Sequence, residues 1–222
     1  MLGVNLITLT DPRSVVAEAY RTLRTNLLFY SVDHPVNTLV ITSPVPGEGK
    51  SVALANLAVT LAQGGYGTIL VDCDLRKPAM HDLWRLDNER GLTTMLLKKS
   101  AMENPPLQSV GVDHLHVLTS GPLPPNPADV LGSRRMDDMI ATLKKKAEYV
   151  LFDVPPVLAV TDAALLGVKV DGVVLLLRAG ASRRDHALRA KEELERVNVP
   201  LIGTVLMNAP RDTIAGDYYT RQ

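Results

Sequence analysis

The chain has 222 residues, 46% of them hydrophobic and 22% charged, which is typical of a single globular domain. Its 24 basic and 24 acidic residues leave a formal net charge of zero, so we expect no nucleic-acid partner, because such proteins usually carry a basic excess. One cysteine, no signal-peptide pattern and no apolar run near the ~18 residues that span a bilayer predict a cytoplasmic domain over residues 1–222.

Predicted helices and strands alternate along the chain. Asp11 and Pro12 are typical of a helix start, and this helix is predicted to continue to about residue 29. Further helices are predicted at 50–62, 80–97, 127–146, 162–168 and 184–197, and strands at 38–42, 68–72, 114–118, 149–153, 173–177 and 201–207. This alternation predicts an α/β fold, a mostly parallel sheet with helices on both faces, which binds ligands at the carboxyl ends of its strands.

The first predicted strand leads into a loop with the composition of a phosphate-binding site. The loop and the start of the next helix read Pro46-Gly47-Glu48-Gly49-Lys50-Ser51-Val52. Backbone N–H groups and the helix N-terminus would hold phosphate oxygens, while Lys50 reaches the β- and γ-phosphates and Ser51 binds Mg²⁺. This context predicts a P-loop NTPase that uses ATP and Mg²⁺. A simple Gly/Pro turn is the alternative, because residues 44 and 45 lack the earlier glycine of the general pattern.

Carboxylates end two other predicted strands. Asp72 and Asp74 follow one strand and are followed in turn by Arg76, and Asp153 ends another. In P-loop NTPases an aspartate at the tip of such a strand completes the Mg²⁺ shell, commonly through water. The alternatives are a helix cap with surface ion pairs for the first group and a loop-capping aspartate for Asp153.

Together these motifs resemble those of the bacterial tyrosine kinases (BY-kinases) of capsule and exopolysaccharide synthesis, which carry Walker A, Walker A′ and Walker B motifs. The resemblance covers most of the chain and includes residues 121–129, which are similar to the family's G-x-x-P-P-N-P-x-E-L-L segment, with Asp129 in place of Glu. The related ParA and MinD ATPases, which act as assembly or positioning switches, are the alternative. They carry a lysine five residues before the Walker lysine, where this chain has Val45.

The resemblance implies a protein-tyrosine kinase that transfers the γ-phosphoryl group of MgATP to tyrosine hydroxyls. Lys50 and the loop backbone would bind the phosphates. The implied Mg²⁺ ligands are Ser51, Asp72 and Asp153. Asp74 would accept the tyrosine proton, although Asp72 and Asp74 could exchange roles, and Arg76 would stabilise the transferred charge or the substrate. Asn208 would contact adenine or, equally, cap the end of the last strand.

Three further implications concern assembly and partners. Glu18, Arg21 and Arg24 are similar to the family's E-x-x-R-x-x-R motif, so region 1–30 would build a homo-oligomeric ring, whereas the residues alone fit a solvated helix face. Tyr218 and Tyr219, in a flexible tail over 210–222, would accept phosphate in trans unless they form a frayed terminus. The implied partners are a membrane adaptor of the polysaccharide co-polymerase type, which recruits the chain to the inner membrane face, and a cognate tyrosine phosphatase. A scaffold that regulates polymer length with little catalysis is a third hypothesis.

Overall fold

A computed structural model describes residues 5–209 and places seven strands in one sheet. The strands are β1 (Thr38–Thr42), β2 (Thr68–Asp72), β3 (Gln108–Ser109), β4 (Leu115–Leu118), β5 (Tyr149–Asp153), β6 (Gly172–Arg178) and β7 (Leu201–Met207). Their order is β3-β4-β2-β5-β1-β6-β7, and every neighbouring pair is parallel except β3 and β4. The predicted mostly parallel α/β sheet is therefore confirmed.

Helices cover both faces of this sheet. They are α1 (Ile7–Thr10), α2 (Val15–Asp33), α3 (Lys50–Gln63), α4 (Met80–Trp84), α5 (Leu92–Leu97), α6 (Lys99–Glu103), α7 (Pro127–Gly132), α8 (Arg134–Lys144), α9 (Asp162–Gly167) and α10 (Arg184–Arg196). Because side chains alternate along a strand, Phe152 of β5 joins the core beneath α8, α9 and α10, whereas Leu151 joins the core beneath α2 and α3. Among the described helices, none is both long and apolar enough to cross a membrane.

Several predicted boundaries are wrong at the helices. Asp11 does not begin the long helix, because Ser14 caps α2 by accepting a hydrogen bond from the Ala17 amide at 3.1 Å. The helix predicted at 127–146 is divided at Ser133 into α7 and α8, and the segment 80–97 contains α4 and α5 with a loop between them. The short elements α1, β3 and α6 were not predicted, because four residues or so carry too little periodicity to be recognised.

The strand order brings the three sequence motifs together at one edge. Strands β2, β5 and β1 are consecutive neighbours, so their carboxyl ends lie side by side. In this register Asp153 lies opposite Asp72 on one side and Ile41 on the other. The loop after β1 and the aspartates that end β2 and β5 therefore share a single site.

Candidate active site

The loop between β1 and α3 has the backbone of a phosphate-binding loop. Gly47 and Gly49 have φ angles of +83° and +87°, a region that favours glycine, and a Cβ placed on either would meet no other atom within 4 Å. Gly49 is the residue before α3, whose first N–H groups have no acceptor within the helix. The loop therefore offers an open backbone surface and a helix N-terminus to an anion.

Lys50, the first residue of α3, lies between two carboxylates. Its Nζ is 3.2 Å from Oδ2 of Asp74 and 3.6 Å from Oδ1 of Asp153. The side chains of Lys50 and Asp74 are 14% and 7% exposed, and that of Asp153 is fully buried. One ammonium group thus faces two acids in a poorly solvated place, where an additional cation would be strongly attracted.

Asp72, whose role as a Mg²⁺ ligand stays a prediction, accepts backbone hydrogen bonds through both of its carboxylate oxygens. Its Oδ2 accepts hydrogen bonds from the amides of Ala79 and Met80 at 3.0 and 2.9 Å, and its Oδ1 accepts one from the Asp74 amide at 3.2 Å. Burial, followed by the charge of Asp153, raises the pKa of Asp72 to about 7 despite these hydrogen bonds. Asp72 therefore holds the segment between β2 and α4 in place, and Asp74 is the acid that reaches the cavity.

Asp153 and Ser51 form the part of the site that fits Mg²⁺. The Ser51 hydroxyl donates to Oδ2 of Asp153 at 2.5 Å, whereas the buried Oδ1 has no hydrogen-bond partner among the described residues. Burial raises the pKa of Asp153, which Lys50 and Ser51 oppose. No group of three or more His, Cys, Asp or Glu side chains within residues 5–209 could hold a metal ion by itself. The Ser51 hydroxyl and the Asp153 carboxylate are instead the small donor set expected for Mg²⁺, which binds one or two protein oxygens and takes its other ligands from phosphates and water.

A cavity of about 470 Å³ opens beside these residues. Its lining includes Pro46, Gly47, Gly49, Lys50, Ser51, Val52, Asp74, Arg76, Lys77, Pro155, Pro156, Ala159 and Val160. Six of the seven residues predicted from the loop therefore border the cavity. The other wall, from Pro155 to Val160, belongs to the loop after β5, which is attached to the β1 end by a hydrogen bond from the Val157 amide to the Ser43 carbonyl at 2.9 Å.

Glu48, the seventh loop residue, directs its side chain away from this cavity. It is 4% exposed, and one carboxylate oxygen accepts a hydrogen bond from the hydroxyl of Ser182, in the loop after β6. Arg178 of β6 donates to the Gly47 carbonyl at 3.4 Å. These contacts brace the phosphate-binding loop from the β6 side. Sequence reasoning missed both residues, because they lie more than 120 positions from the loop.

Arg76 lines the cavity but is held by an acid that sequence reasoning also missed. Its Nε and Nη2 donate to Oδ2 and Oδ1 of Asp162, both at 2.9 Å. The Asp162 side chain is fully buried, whereas that of Arg76 is 39% exposed. The one available signal in the sequence was an aspartate at the predicted start of a helix, shortly after the Asp153 motif.

Asn208 is not among the residues that line this cavity. It borders a second hollow of about 380 Å³, between α2 and β7, together with Tyr20 and Met207. Its φ of +53° is one that asparagine tolerates at the end of a strand. Contact between Asn208 and adenine therefore stays a prediction.

The three residues of the predicted assembly motif lie on α2. Glu18 and Arg21 form a partly exposed ion pair at 2.5 Å, and Arg21 also donates to the Pro12 carbonyl at 3.0 Å. Arg24 instead donates to the carbonyl of Thr60 in α3 at 2.8 Å, within the same chain. Tyr218 and Tyr219, the predicted acceptors, lie outside the described residues.

Comparisons with known proteins agree with this geometry. Residues 39–211 match the CobQ/CobB/MinD/ParA nucleotide binding domain family. The chain is 46% identical over 202 residues to tyrosine-protein kinase YwqD of Bacillus subtilis (strain 168), covering 91% of this chain and 85% of that protein. Its structure is similar to the kinase domain of the Escherichia coli tyrosine kinase ETK, with a TM-score of 0.89, 30% identity and coverage of 96% and 83% of the two chains.

A more distant similarity concerns the fold alone. The septum site-determining protein MinD of Pyrococcus horikoshii OT3, solved with Mg-ADP, has a TM-score of 0.64 and 20% identity over 82% of this chain and 76% of that one. The chain is thus more similar to the tyrosine kinases than to this MinD in both sequence and structure. The resemblance drawn from the motifs is confirmed: the chain belongs to the bacterial tyrosine-protein kinases, within the CobQ/CobB/MinD/ParA group of nucleotide-binding domains.

Proposed function

We propose that this chain is an ATP-dependent protein-tyrosine kinase that phosphorylates tyrosines in its own C-terminal region, Tyr218 and Tyr219, in trans within a homo-oligomer. The observation that carries the proposal is the position of Lys50, which directly follows the phosphate-binding loop and lies between Asp74 and Asp153. Phosphoryl transfer requires positioning and charge neutralisation more than covalent chemistry, and this arrangement supplies both.

Each residue has a defined task in this mechanism. The loop backbone from Gly47 to Ser51 binds the phosphates of ATP, and Lys50 neutralises the charge that develops on the transferred group. Mg²⁺, when bound, would supply positive charge that neutralises the phosphate groups. Ser51 and Asp153 would hold it, since Oδ2 of Asp153 accepts the Ser51 hydroxyl and its Oδ1, 3.6 Å from Lys50, accepts no hydrogen bond among the described residues.

Asp74 is the better candidate for the base that accepts the tyrosine proton. It lines the cavity, whereas both oxygens of Asp72 already accept backbone hydrogen bonds. Asp74 itself is oriented by the amides of Arg76 and Lys77, which donate to its Oδ1 at 3.3 and 2.9 Å. Its other oxygen, Oδ2, accepts a hydrogen bond from Lys50 at 3.2 Å and is the oxygen that would take the tyrosine proton.

Our proposal for the cellular setting of this activity rests on the family resemblance. Regulation of capsular or exopolysaccharide synthesis and export, ring assembly through Glu18, Arg21 and Arg24, and a cytoplasmic location at the membrane are parts of the proposal. So are a membrane adaptor of the polysaccharide co-polymerase type and a cognate tyrosine phosphatase. The partly exposed Glu18–Arg21 pair supports an assembly surface on α2, because these two side chains are accessible to a neighbouring subunit.

The test uses the full chain, Mg²⁺ and γ-labelled ATP, with and without the cytoplasmic peptide of a candidate adaptor. Phosphotyrosine and free phosphate are measured in the same samples for the wild type and for the Tyr218→Phe/Tyr219→Phe variant. Label on tyrosine that disappears in the double variant supports the proposal. Release of free phosphate without phosphotyrosine, with a functional adaptor present, contradicts it and favours a ParA/MinD-like switch ATPase.

A further inference from the structure

Arg76 and Asp162 connect the two walls of the nucleotide cavity. Arg76 lies in the segment after β2, four residues from the end of that strand, and Asp162 is the first residue of α9, beyond the loop that follows β5. Their two hydrogen bonds of 2.9 Å form the side-on pairing in which a carboxylate takes Nε and one terminal nitrogen of a guanidinium. The pair therefore fixes the plane of the guanidinium as well as its position.

The exposure of the two partners is unequal. Asp162 is fully buried, and its hydrogen-bond partner among the described side chains is Arg76, which is 39% exposed and borders the cavity. A guanidinium carries five N–H groups. Two are used by Asp162, so three remain on the side of the group that Asp162 does not cover. A buried acid thus fixes the orientation of a cation that lines the cavity and has three N–H groups not used by Asp162.

We infer that Asp162 is a positioning residue for phosphoryl transfer: it holds Arg76 so that its free N–H groups contact an oxygen bearing negative charge on the transferred phosphoryl group. The inference rests on the proposed kinase function and adds to it a residue outside the three sequence motifs. Preorganised donors stabilise a transition state because they do not have to reorient when charge develops. Asp162 keeps Arg76 from taking other rotamers and from pairing with Asp74, whose Oδ1 already accepts the Arg76 amide at 3.3 Å.

A double-mutant cycle tests this role. The variants are Asp162→Asn, Arg76→Ala and their combination, and kcat and the KM for ATP are measured with phosphotyrosine and free phosphate as products. We expect each single variant to lower kcat by roughly 10-fold or more with little change in KM, and the combination to lower it no further, because both act through one guanidinium. Millimolar guanidinium should restore part of the activity of Arg76→Ala, and should fail to do so when Asp162 is also replaced.

Stability is measured in parallel by urea unfolding, with Asp171→Asn as the matched control. Asp171 is another carboxylate with many hydrogen bonds, at the opposite edge of the sheet, so its loss should lower stability without lowering kcat. Independent, multiplicative losses of kcat in the cycle, or a loss of stability alone in Asp162→Asn, would overturn the inference. A wild type that makes free phosphate but no phosphotyrosine contradicts the proposed function instead, and the cycle is then read from phosphate release.

Discussion

Carboxylates at the two ends of the parallel strands have opposite pKa shifts. We call the end where these strands begin the amino edge, and the end where they stop, beside the candidate active site, the carboxyl edge. At the amino edge, Oδ2 of Asp171 accepts hydrogen bonds from the amides of Asn37 and Thr38 and from the Thr38 hydroxyl, at 2.8 to 3.0 Å, and Lys144 lies 3.2 Å away. Partial burial alone would raise the pKa of Asp171, but Thr38 and Lys144 outweigh it, and the pKa is lowered. This acid is more stable as an anion in the folded chain than in water.

At the carboxyl edge, the balance is reversed. Burial raises the pKa of Asp72 to about 7 and also raises that of Asp153, and Lys50 is the lysine that faces Asp153 and Asp74. An ionised aspartate therefore stabilises the fold at the amino edge, whereas at the carboxyl edge burial of ionised aspartates lowers the stability of the fold. Buried carboxylates beside the phosphate-binding loop suit Mg²⁺ in particular, because the ion would bring positive charge next to them when it is bound.

The largest expected effect is that of Lys50→Met. It removes the ammonium group shared by Asp74 and Asp153, and we expect the rate of phosphotyrosine formation to fall roughly 100-fold or more, as when a charge-stabilising donor is lost. Lys144→Met, which removes the lysine of the amino edge, should leave the rate unchanged. Equal losses in the two variants would contradict the contrast between the edges.

Asp153→Asn and Asp171→Asn should have opposite consequences. Asp171→Asn is expected to lower the free energy of unfolding by about 1–2 kcal/mol with normal activity, because several charge-assisted hydrogen bonds weaken. Asp153→Asn should abolish most activity without lowering stability, because it relieves an excess of buried negative charge. Urea unfolding and kinase assays on the same preparations test both expectations. A stability loss in Asp153→Asn comparable to that of Asp171→Asn would contradict the expected difference between the two variants.

The pH dependence of the free energy of unfolding should reveal the raised pKa of Asp72 at the carboxyl edge, without any measurement of activity. The pKa of Asp72 is about 7 in the folded protein against an ordinary value of 3.8, so between these values the folded chain binds more protons than the unfolded chain. The free energy of unfolding in EDTA should therefore fall as pH rises from about 4 to 7. Asp72→Asn should reduce this slope, and an unchanged slope would show that Asp72 does not cause it.

The smallest expected effect is that of Asp137→Asn. Asp137 forms an ion pair with Lys169 at 2.7 Å, but its side chain is 52% exposed. Because exposed pairs contribute little, we expect a change below about 0.5 kcal/mol in the free energy of unfolding. A change as large as that of Asp171→Asn would show that an exposed ion pair contributes as much to stability as the hydrogen-bonded carboxylate of Asp171.

Local patterns predicted the strands well and the helix ends less well. Strands 38–42, 68–72, 149–153 and 201–207 were predicted to the residue, because their β-branched and apolar runs stop at punctuation such as Pro, Gly or Asp. The start of α2 was placed at Asp11 because two consecutive residues, Asp11 and Pro12, both favour a helix start. Ser14, three residues later, is also a good cap, and in the structure it is the Ser14 hydroxyl that accepts the Ala17 amide.

The sequence by itself determined the chemistry of this protein: a glycine-rich loop with Lys50 and Ser51, aspartates at the ends of two strands, and the family that these imply. The tertiary structure decided which groups face one another. The parallel order β2-β5-β1-β6 brings Asp74 and Asp153 to the same ammonium group, places Ser182 beside Glu48, and pairs Arg76 with Asp162 across 86 positions of the chain. The physical reason is that periodicity and turn chemistry are local, whereas the pairing of buried charges depends on which distant segments the sheet makes neighbours.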